Sequence, residues 1–146
     1  MEYPKYPICE YQQGDWLFPY GSNTPDRIRD VSYQEEPAGI WCIFTFIHNR
    51  SVWHYPAYCK PVPITREILK KNGFVETKTN QSYSLFDVIT DNPDKFFTIR
   101  CYDDGDFRLY AGDDTVPTKR IEMNIKYVHE IQHELKSCEI EKSIYL

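Results

Sequence analysis

Long apolar runs, paired cysteines and an excess of basic charge are all missing from this sequence of 146 residues. No segment approaches the roughly 18 consecutive apolar residues that span a membrane, and residues 1–7 are unlike a signal peptide. The chain carries 17 basic and 22 acidic side chains, a net charge of −5. Electrostatic binding along a nucleic-acid backbone requires basic side chains, so this balance makes nucleic acid an unfavourable direct ligand. We expect a cytoplasmic protein that is neither secreted nor membrane-bound.

Several common site chemistries are also missing. The five cysteines, an odd number, form no C-x-x-C pair, which disfavours both a zinc ribbon and a disulfide framework and predicts reduced thiols. Cys42, Cys59 and Cys101 lie in or beside apolar segments and are expected to pack as small hydrophobic side chains. There is no glycine-rich phosphate loop, nucleophile elbow or redox pair. The remaining cysteines are Cys9 and Cys138.

Hydrophobic residues make up 41% of the chain and aromatic residues 16%, which is typical of a folded globule. The length suits one domain or two very small modules. We predict a β-rich N-terminal module, residues 1–62, and an α+β C-terminal module, residues 63–146, packed as one compact unit.

The N-terminal module contains short β-prone runs separated by turn residues. Residues 40–47 are the most β-prone and are expected to form a central strand, followed by a turn at 48–51. Pro56, Pro61 and Pro63 are expected to end strand pairing. The pattern predicts a small curled antiparallel sheet or an SH3-like barrel. The predicted strands are 16–18, 27–33, 40–47 and 52–55.

The C-terminal module begins with a short helix, because Thr65 is a suitable N-cap and Asn72-Gly73 a suitable stop. A polar turn at 77–82 follows, then a β-meander with a hairpin at the acidic turn 103–106, where Asp-Gly tolerates positive φ. A solvated turn is favoured there over a calcium site, because the oxygen ligands lack EF-hand spacing. An amphipathic helix over 125–139 and a final strand over 140–146 complete an α+β fold.

One catalytic pattern occurs, His129-Glu130-Ile131-Gln132-His133, which matches the zinc motif H-E-x-x-H. In such motifs both histidines bind zinc and the glutamate acts as base on bound water. On a helical wheel the apolar stripe is centred at about 340°, whereas His129 lies at about 100° and His133 at about 140°. The wheel therefore predicts two solvent-facing histidines.

The flanking sequence also favours the absence of metal. The extended form of the motif requires Gly where Lys136 stands and His where Glu139 stands. His48 and His54 could supply a third ligand, but no pattern positions them. We therefore predict no catalytic residue and no metal or other cofactor. The alternative is a zinc-dependent hydrolase with Glu130 as base and zinc held by His129 and His133.

Aromatic side chains are the other candidate site. They could form a stacking platform or a peptide-binding groove. Core packing is the favoured interpretation, because large aromatics usually supply buried area. The candidate binding residues are Trp16, Trp41, Trp53 and Tyr55.

Three segments, residues 63–69, 72–74 and 125–133, resemble a group of short uncharacterised proteins encoded by phages and integrated elements of Bacteroides-type gut bacteria. The similarity covers the second half of the chain best. It implies a small β-rich N-terminal part, a short helix preceded by Pro63-Ile64-Thr65, and a helix near the C-terminus containing Tyr127-Val128-His129. In that group, positions matching Glu130 and His133 are often filled by residues that cannot serve a zinc peptidase.

These observations predict a small non-enzymatic accessory protein of a phage or mobile element that acts in a bacterial cytoplasm by binding a macromolecule. The acidic charge favours a protein partner, and an inhibitor of a host defence or nucleic-acid-handling protein is one concrete version. A zinc hydrolase and a structural virion component are the alternatives.

Overall fold

The computed structural model describes residues 10–36, 39–48, 55–79 and 81–146, without the side chains of 34–36, 39–41 and 117–119. The chain divides into two units, Met1–Val62 and Pro63–Leu146. Both are built mainly from antiparallel strands, and the second adds two short helices, so the predicted α+β class is confirmed. The longer helix has only ten residues, and no helix in the described ranges is long and apolar enough to cross a membrane.

The N-terminal unit contains a four-stranded sheet in the order β3-β2-β1-β4. Among the described strands β3 lies at one end of this order, not in the expected central position. The expected return strand at 52–55 is outside the described residues except for Tyr55. Pro61 does not end pairing as predicted, because it pairs with Leu17. The strands are β1 (Trp16–Phe18), β2 (Asp26–Glu36), β3 (Gly39–Phe46) and β4 (Lys60–Pro61), and a 3₁₀ helix spans Pro56–Tyr58.

The core of this unit is apolar and aromatic. The ring of Phe44 meets those of Phe46 and Tyr11 edge-on, at centroid distances of 6.3 and 5.9 Å. Such edge-to-face contacts stabilise aromatic pairs beyond their buried area. Cys42 and Cys59 are buried, as predicted for small hydrophobic side chains. The buried cluster comprises Leu17, Ile28, Cys42, Phe44, Phe46 and Cys59.

The C-terminal unit is a five-stranded meander in the order β5-β6-β7-β8-β9, in which each strand pairs with the next. The predicted hairpin at 103–106 is confirmed: Gly105 has φ +94° and the Tyr102 amide donates to the Asp106 carbonyl at 2.9 Å. The strands are β5 (Val75–Lys78), β6 (Tyr83–Asp87), β7 (Lys95–Tyr102), β8 (Phe107–Asp113) and β9 (Val116–Ile125).

Helix α1 (Arg66–Lys71) has the predicted ends. The Ile68 amide donates to Thr65 Oγ1 at 3.2 Å, which caps the first turn. Gly73, with φ +80°, ends the helix, and the Phe74 amide donates back to the Leu69 carbonyl at 3.1 Å. This turn brings the Phe74 ring to 6.5 Å from that of Phe97, so α1 is attached to one face of the meander.

Helix α2 (Val128–Ser137) begins later than predicted. Ile125, expected in the helix, is the last residue of β9, and β5 replaces part of the polar turn expected at 77–82. The predicted periodicity holds within α2, where Val128, Ile131 and Leu135 are buried. Beside the edge strand, the Ile64 amide donates to the Lys126 carbonyl at 2.9 Å.

The predicted final strand over 140–146 is wrong, because this segment pairs with a side chain instead of a strand. Asn72 Nδ2 donates to the Tyr145 carbonyl at 2.8 Å, and the Tyr145 amide donates to Asn72 Oδ1 at 2.7 Å. The same Nδ2 also donates to the Ile68 carbonyl at 2.8 Å. Ile144 is buried beside this contact. One asparagine thus joins the end of α1 to the C-terminal segment.

Replacing Asn72 by alanine should detach this segment. The change removes three hydrogen bonds from a buried site, so we expect the free energy of unfolding to fall by about 1–3 kcal/mol. Urea denaturation measures this loss, and amide exchange should accelerate at Ile144 and Tyr145. The control is Asn92→Ala, in an exposed turn, where a change within about 0.5 kcal/mol is expected. Equal losses in both variants would contradict the assigned role of Asn72.

Candidate functional site

The carboxylate of Glu130 is occupied in closing the start of α2. Its Oε1 accepts hydrogen bonds from the amides of Lys126 and Tyr127, both at 2.9 Å. These amides would otherwise lack partners at the helix start, and a glutamate at the third helical position is a common way to satisfy them. The glutamate of the H-E-x-x-H pattern therefore acts as a helix cap.

The prediction of a solvent-facing His129 is wrong, because its side chain is only 3% exposed. The ring stacks on Tyr127 at 5.9 Å with an interplanar angle of 12° and meets His133 edge-on at 5.5 Å. The helical wheel failed because it treated Tyr127 as part of the helix, whereas Tyr127 precedes α2 and its ring stacks on that of His129. His133 is half-buried, so its side chain reaches solvent in part.

A zinc site needs three or four protein ligands. Within the described ranges, no group of three or more His, Cys, Asp or Glu side chains is arranged to hold a metal ion. His48 lies after β3, where its amide donates to Asp26 Oδ2 at 3.0 Å. His54 is outside the described residues. The His129 and His133 pair thus gains no third ligand from the part of the chain that is described.

The predicted aromatic candidates are only partly described. Trp16 is buried in the N-terminal unit, and the Arg27 guanidinium lies 5.5 Å from its ring. Tyr55 is half-buried and its ring lies 6.2 Å from that of Tyr58. Neither the Trp41 side chain nor any part of Trp53 is described. The two described candidates, Trp16 and Tyr55, therefore form no exposed platform.

A different set of side chains lies on one face of the meander. Along β6, β7 and β8 buried residues alternate with half-buried ones, so the sheet has one core face and one open face. Phe86, Ile99 and Leu109 lie on the core face. The opposite positions form what we call the tyrosine–arginine face: Tyr83, Arg100, Tyr102, Arg108 and Tyr110.

Arg100 is the centre of this face. Its guanidinium carbon lies 4.3 Å from the ring centroid of Tyr83 and 4.7 Å from that of Tyr110, which belong to the strands on either side of β7. Arg100 Nη1 also donates to Tyr102 Oη at 3.3 Å. A cation over a tyrosine ring contributes about 0.5–2 kcal/mol, so these contacts hold the charge in one position.

No carboxylate pairs with Arg100 among the described residues, although the chain is acidic. The other arginines of residues 63–146 each have one: Arg66 with Asp103 at 4.0 Å, Arg108 with Glu122 at 2.7 Å, and Arg120 with Asp114 at 3.5 Å. Arg100 Nε is buried and has no acceptor within the described part of the chain. A buried donor without an acceptor lowers the free energy of unfolding by about 1–3 kcal/mol.

The tyrosines around Arg100 have shifted acidities. The hydrogen bond from Arg100 is the main cause that lowers the pKa of Tyr102 below its ordinary value. Burial, reinforced by a hydrogen bond with Tyr102, raises the pKa of Tyr110. The hydrogen bond to Tyr102 also raises the pKa of Arg100, so its guanidinium is fully charged. The face is therefore cationic at its centre at neutral pH.

The sequence carried a signal for this face that residue-type motifs do not detect. Arg-x-Tyr occurs twice, at Arg100-Cys101-Tyr102 and at Arg108-Leu109-Tyr110, on either side of the Asp-Gly turn. Residues two apart in a strand share a face, and the hairpin pairs Arg100 with Arg108. Alternation combined with the predicted hairpin would have placed all four side chains together.

The chain matches no protein-family model, and neither a curated protein nor a solved structure matches it.

Alkaline titration should separate Tyr102 from Tyr110. We expect Tyr102 to lose its proton first, and Arg100→Met to raise the pKa of Tyr102 towards the ordinary value of about 10. Tyr102 loses its proton at lower pH in the folded chain than in the unfolded chain, so its contribution to stability increases as the pH rises through its folded pKa. Tyr110 loses its proton at higher pH when folded, so its contribution to stability decreases as the pH rises above the ordinary tyrosine pKa. Ring resonances in NMR follow each tyrosine. With the control Arg120→Met the order should persist, and an unchanged Tyr102 pKa in Arg100→Met would contradict the assignment.

The capping role of Glu130 is tested by comparing two substitutions. Glu130→Gln retains a side-chain oxygen as acceptor and should cost less than Glu130→Ala, for which we expect a loss of about 0.5–2 kcal/mol. Urea denaturation measures both losses.

Elemental analysis of tag-free protein tests the hydrolase alternative. About one zinc per chain that disappears in His129→Ala/His133→Ala would favour metal chemistry.

Proposed function

We propose that this protein is a non-enzymatic accessory protein of a phage or mobile element that binds a protein partner through the tyrosine–arginine face. The single observation that carries the proposal is the cluster of three tyrosines around Arg100 on the open face of the meander. Tyrosine and arginine are enriched at the centres of protein interfaces and among their energetic hot spots.

The strands beneath the tyrosine–arginine face give it a rigid support that suits binding of a partner. The face belongs to strands paired on both sides, and its core side is filled by buried residues such as Phe97, Ile99 and Leu109. Rigid elements hold contact side chains in one geometry and reduce the ordering cost of association. A binding function needs only this presentation of side chains and no reactive group.

Charge supports a protein partner. The net charge of −5 repels nucleic acid and favours approach to a basic surface. We propose, as one version, an inhibitor that occupies the basic nucleic-acid channel of a host defence or nucleic-acid-handling protein in a bacterial cytoplasm. The resemblance of residues 63–69, 72–74 and 125–133 to proteins of Bacteroides-type mobile elements motivates this setting.

For the N-terminal unit we propose the SH3-like barrel as the finer architecture. Support comes from β2, an eleven-residue strand whose register with β3 shifts between Ile28 and Asp30. Such bulges bend a strand and increase its twist, as closing a small sheet requires.

Partner capture with matched variants tests the function. Immobilised wild-type chain should retain a protein from bacterial extract at low salt, and Tyr83→Ala/Tyr110→Ala should bind it at least about 30-fold more weakly, the effect of one hot spot. The control, Tyr20→Ala/Tyr33→Ala, removes two exposed tyrosines of the N-terminal unit and should bind as wild type.

Salt provides a second readout, because electrostatic attraction between exposed charges weakens as ionic strength rises. Binding by wild type should therefore decrease uniformly with added salt. If the Tyr83→Ala/Tyr110→Ala variant folds and binds the same protein with wild-type affinity, the face is not the interface. If wild type captures nothing at low salt, the binding function itself is contradicted.

A further inference from the structure

We propose that Arg100 is the receptor for a single carboxylate group presented by the protein partner. This inference rests on the proposed binding function and names the chemistry that the partner must supply at the centre of the face. It follows from the position, the unused donors and the charge balance of one guanidinium.

The guanidinium of Arg100 is held beside two tyrosine rings and keeps donors for a ligand. Tyr83 and Tyr110 lie on the two strands beside β7 and contact the cation through their rings at 4.3 and 4.7 Å. A guanidinium has five N–H donors, all in its plane. Within the described residues only Nη1 has an acceptor, Tyr102 Oη. Arg100 is half-buried and its Nε is buried, which leaves the terminal Nη donors for a ligand.

Tyr102 acts as a positioning residue. By accepting from Nη1 at 3.3 Å it restricts rotation of the guanidinium between the two flanking rings. A pre-positioned arginine loses less side-chain freedom when it binds, so more of the interaction contributes to affinity.

The charge balance favours a carboxylate. Arg108, the nearest other cation of the face, donates to Glu122 Oε1 from Nη2 at 2.7 Å and from Nε at 3.1 Å. Arg100 is thus the one cation of the face without a carboxylate in the described residues. One carboxylate matches it, and the planar fork of a guanidinium accommodates both carboxylate oxygens.

A nucleic-acid strand fits the same face less well. Each nucleotide adds a phosphate, and a chain with a net charge of −5 has few cations to neutralise them. Base stacking needs free aromatic faces, whereas Tyr83 and Tyr110 already direct theirs to Arg100. The observations therefore favour an acidic side chain or chain terminus of a protein.

NMR of the arginine side chains provides the direct test. In isotope-labelled full-length chain, the Nε–Hε signal of Arg100 is identified by its disappearance in Arg100→Lys. Titration with sodium acetate at constant ionic strength should shift this signal saturably, while the Arg108 signal, already engaged by Glu122, should move far less. Inorganic phosphate and a thymidine oligonucleotide are the competing probes.

The outcomes are distinct. A saturable acetate shift confined to Arg100 supports the carboxylate receptor. No shift with acetate, or tighter binding of phosphate or the oligonucleotide than of acetate, overturns it.

Partner binding separates this inference from the proposed function. Arg100→Lys keeps the charge but loses the planar fork, so we expect it to bind the captured partner at least about tenfold more weakly. Arg120→Lys, whose arginine already pairs with Asp114, is the matched control and should bind as wild type. If Arg100→Lys binds as wild type while Tyr83→Ala/Tyr110→Ala does not, the carboxylate receptor is wrong and the binding face stands. If Arg100→Lys and Tyr83→Ala/Tyr110→Ala both bind the partner as wild type does, the tyrosine–arginine face has no role in binding.

Discussion

The pleat of the antiparallel meander is the constraint on which the candidate site depends. Because neighbouring residues in a strand point to opposite faces, filling one face of β6, β7 and β8 with core side chains forces the alternate residues onto the other. Phe97, Ile99 and Cys101 are buried, which leaves Arg100 and Tyr102 on the open side. A slip of one residue in register would exchange the two sets and remove both the core and the tyrosine–arginine face.

Electrostatics gives the open face its character. Five ion pairs lie at or near the surface of the described C-terminal unit, where such pairs stabilise little and are readily screened. Arg100 differs because its contacts are aromatic rings and a phenol hydroxyl, which orient the cation without neutralising it. The buried Nε without an acceptor in the described residues lowers the stability of the isolated chain, whereas the charge without a carboxylate can strengthen association with an anionic group.

The start of α2 shows how the same residue types can serve structure instead of chemistry. Glu130 is placed by the helix to accept from two amides at its own beginning, and His129 is covered by Tyr127. A motif describes spacing along one helix, whereas a metal site also requires ligands from elsewhere in the fold. The spacing of His129 and His133 is consistent with zinc binding, but their surroundings in the described residues are those of a packed helix start.

Local physics explains what could be predicted from the sequence. The ends of α1, the Asp-Gly hairpin, the buried apolar positions of α2 and the α+β class depend on residues a few positions apart. Thr65, Gly73 and Gly105 were sufficient signals for the helix ends and the hairpin. The alternation of Arg100-Cys101-Tyr102 and Arg108-Leu109-Tyr110 was also present, although only strand pairing turns it into a face.

Long-range packing decided the rest. The C-terminal segment does not form a strand because Asn72, 73 positions away, binds its backbone. The burial of His129 depends on a tyrosine outside the helical repeat, and the placement of Arg100 depends on rings from two other strands. The sequence by itself determined the local elements and their apolar periodicity, because these arise from short-range sterics and hydrogen bonding. Only the tertiary structure decided which polar groups are covered and which cation lacks a counter-charge in the described residues, because both depend on neighbours brought together by folding.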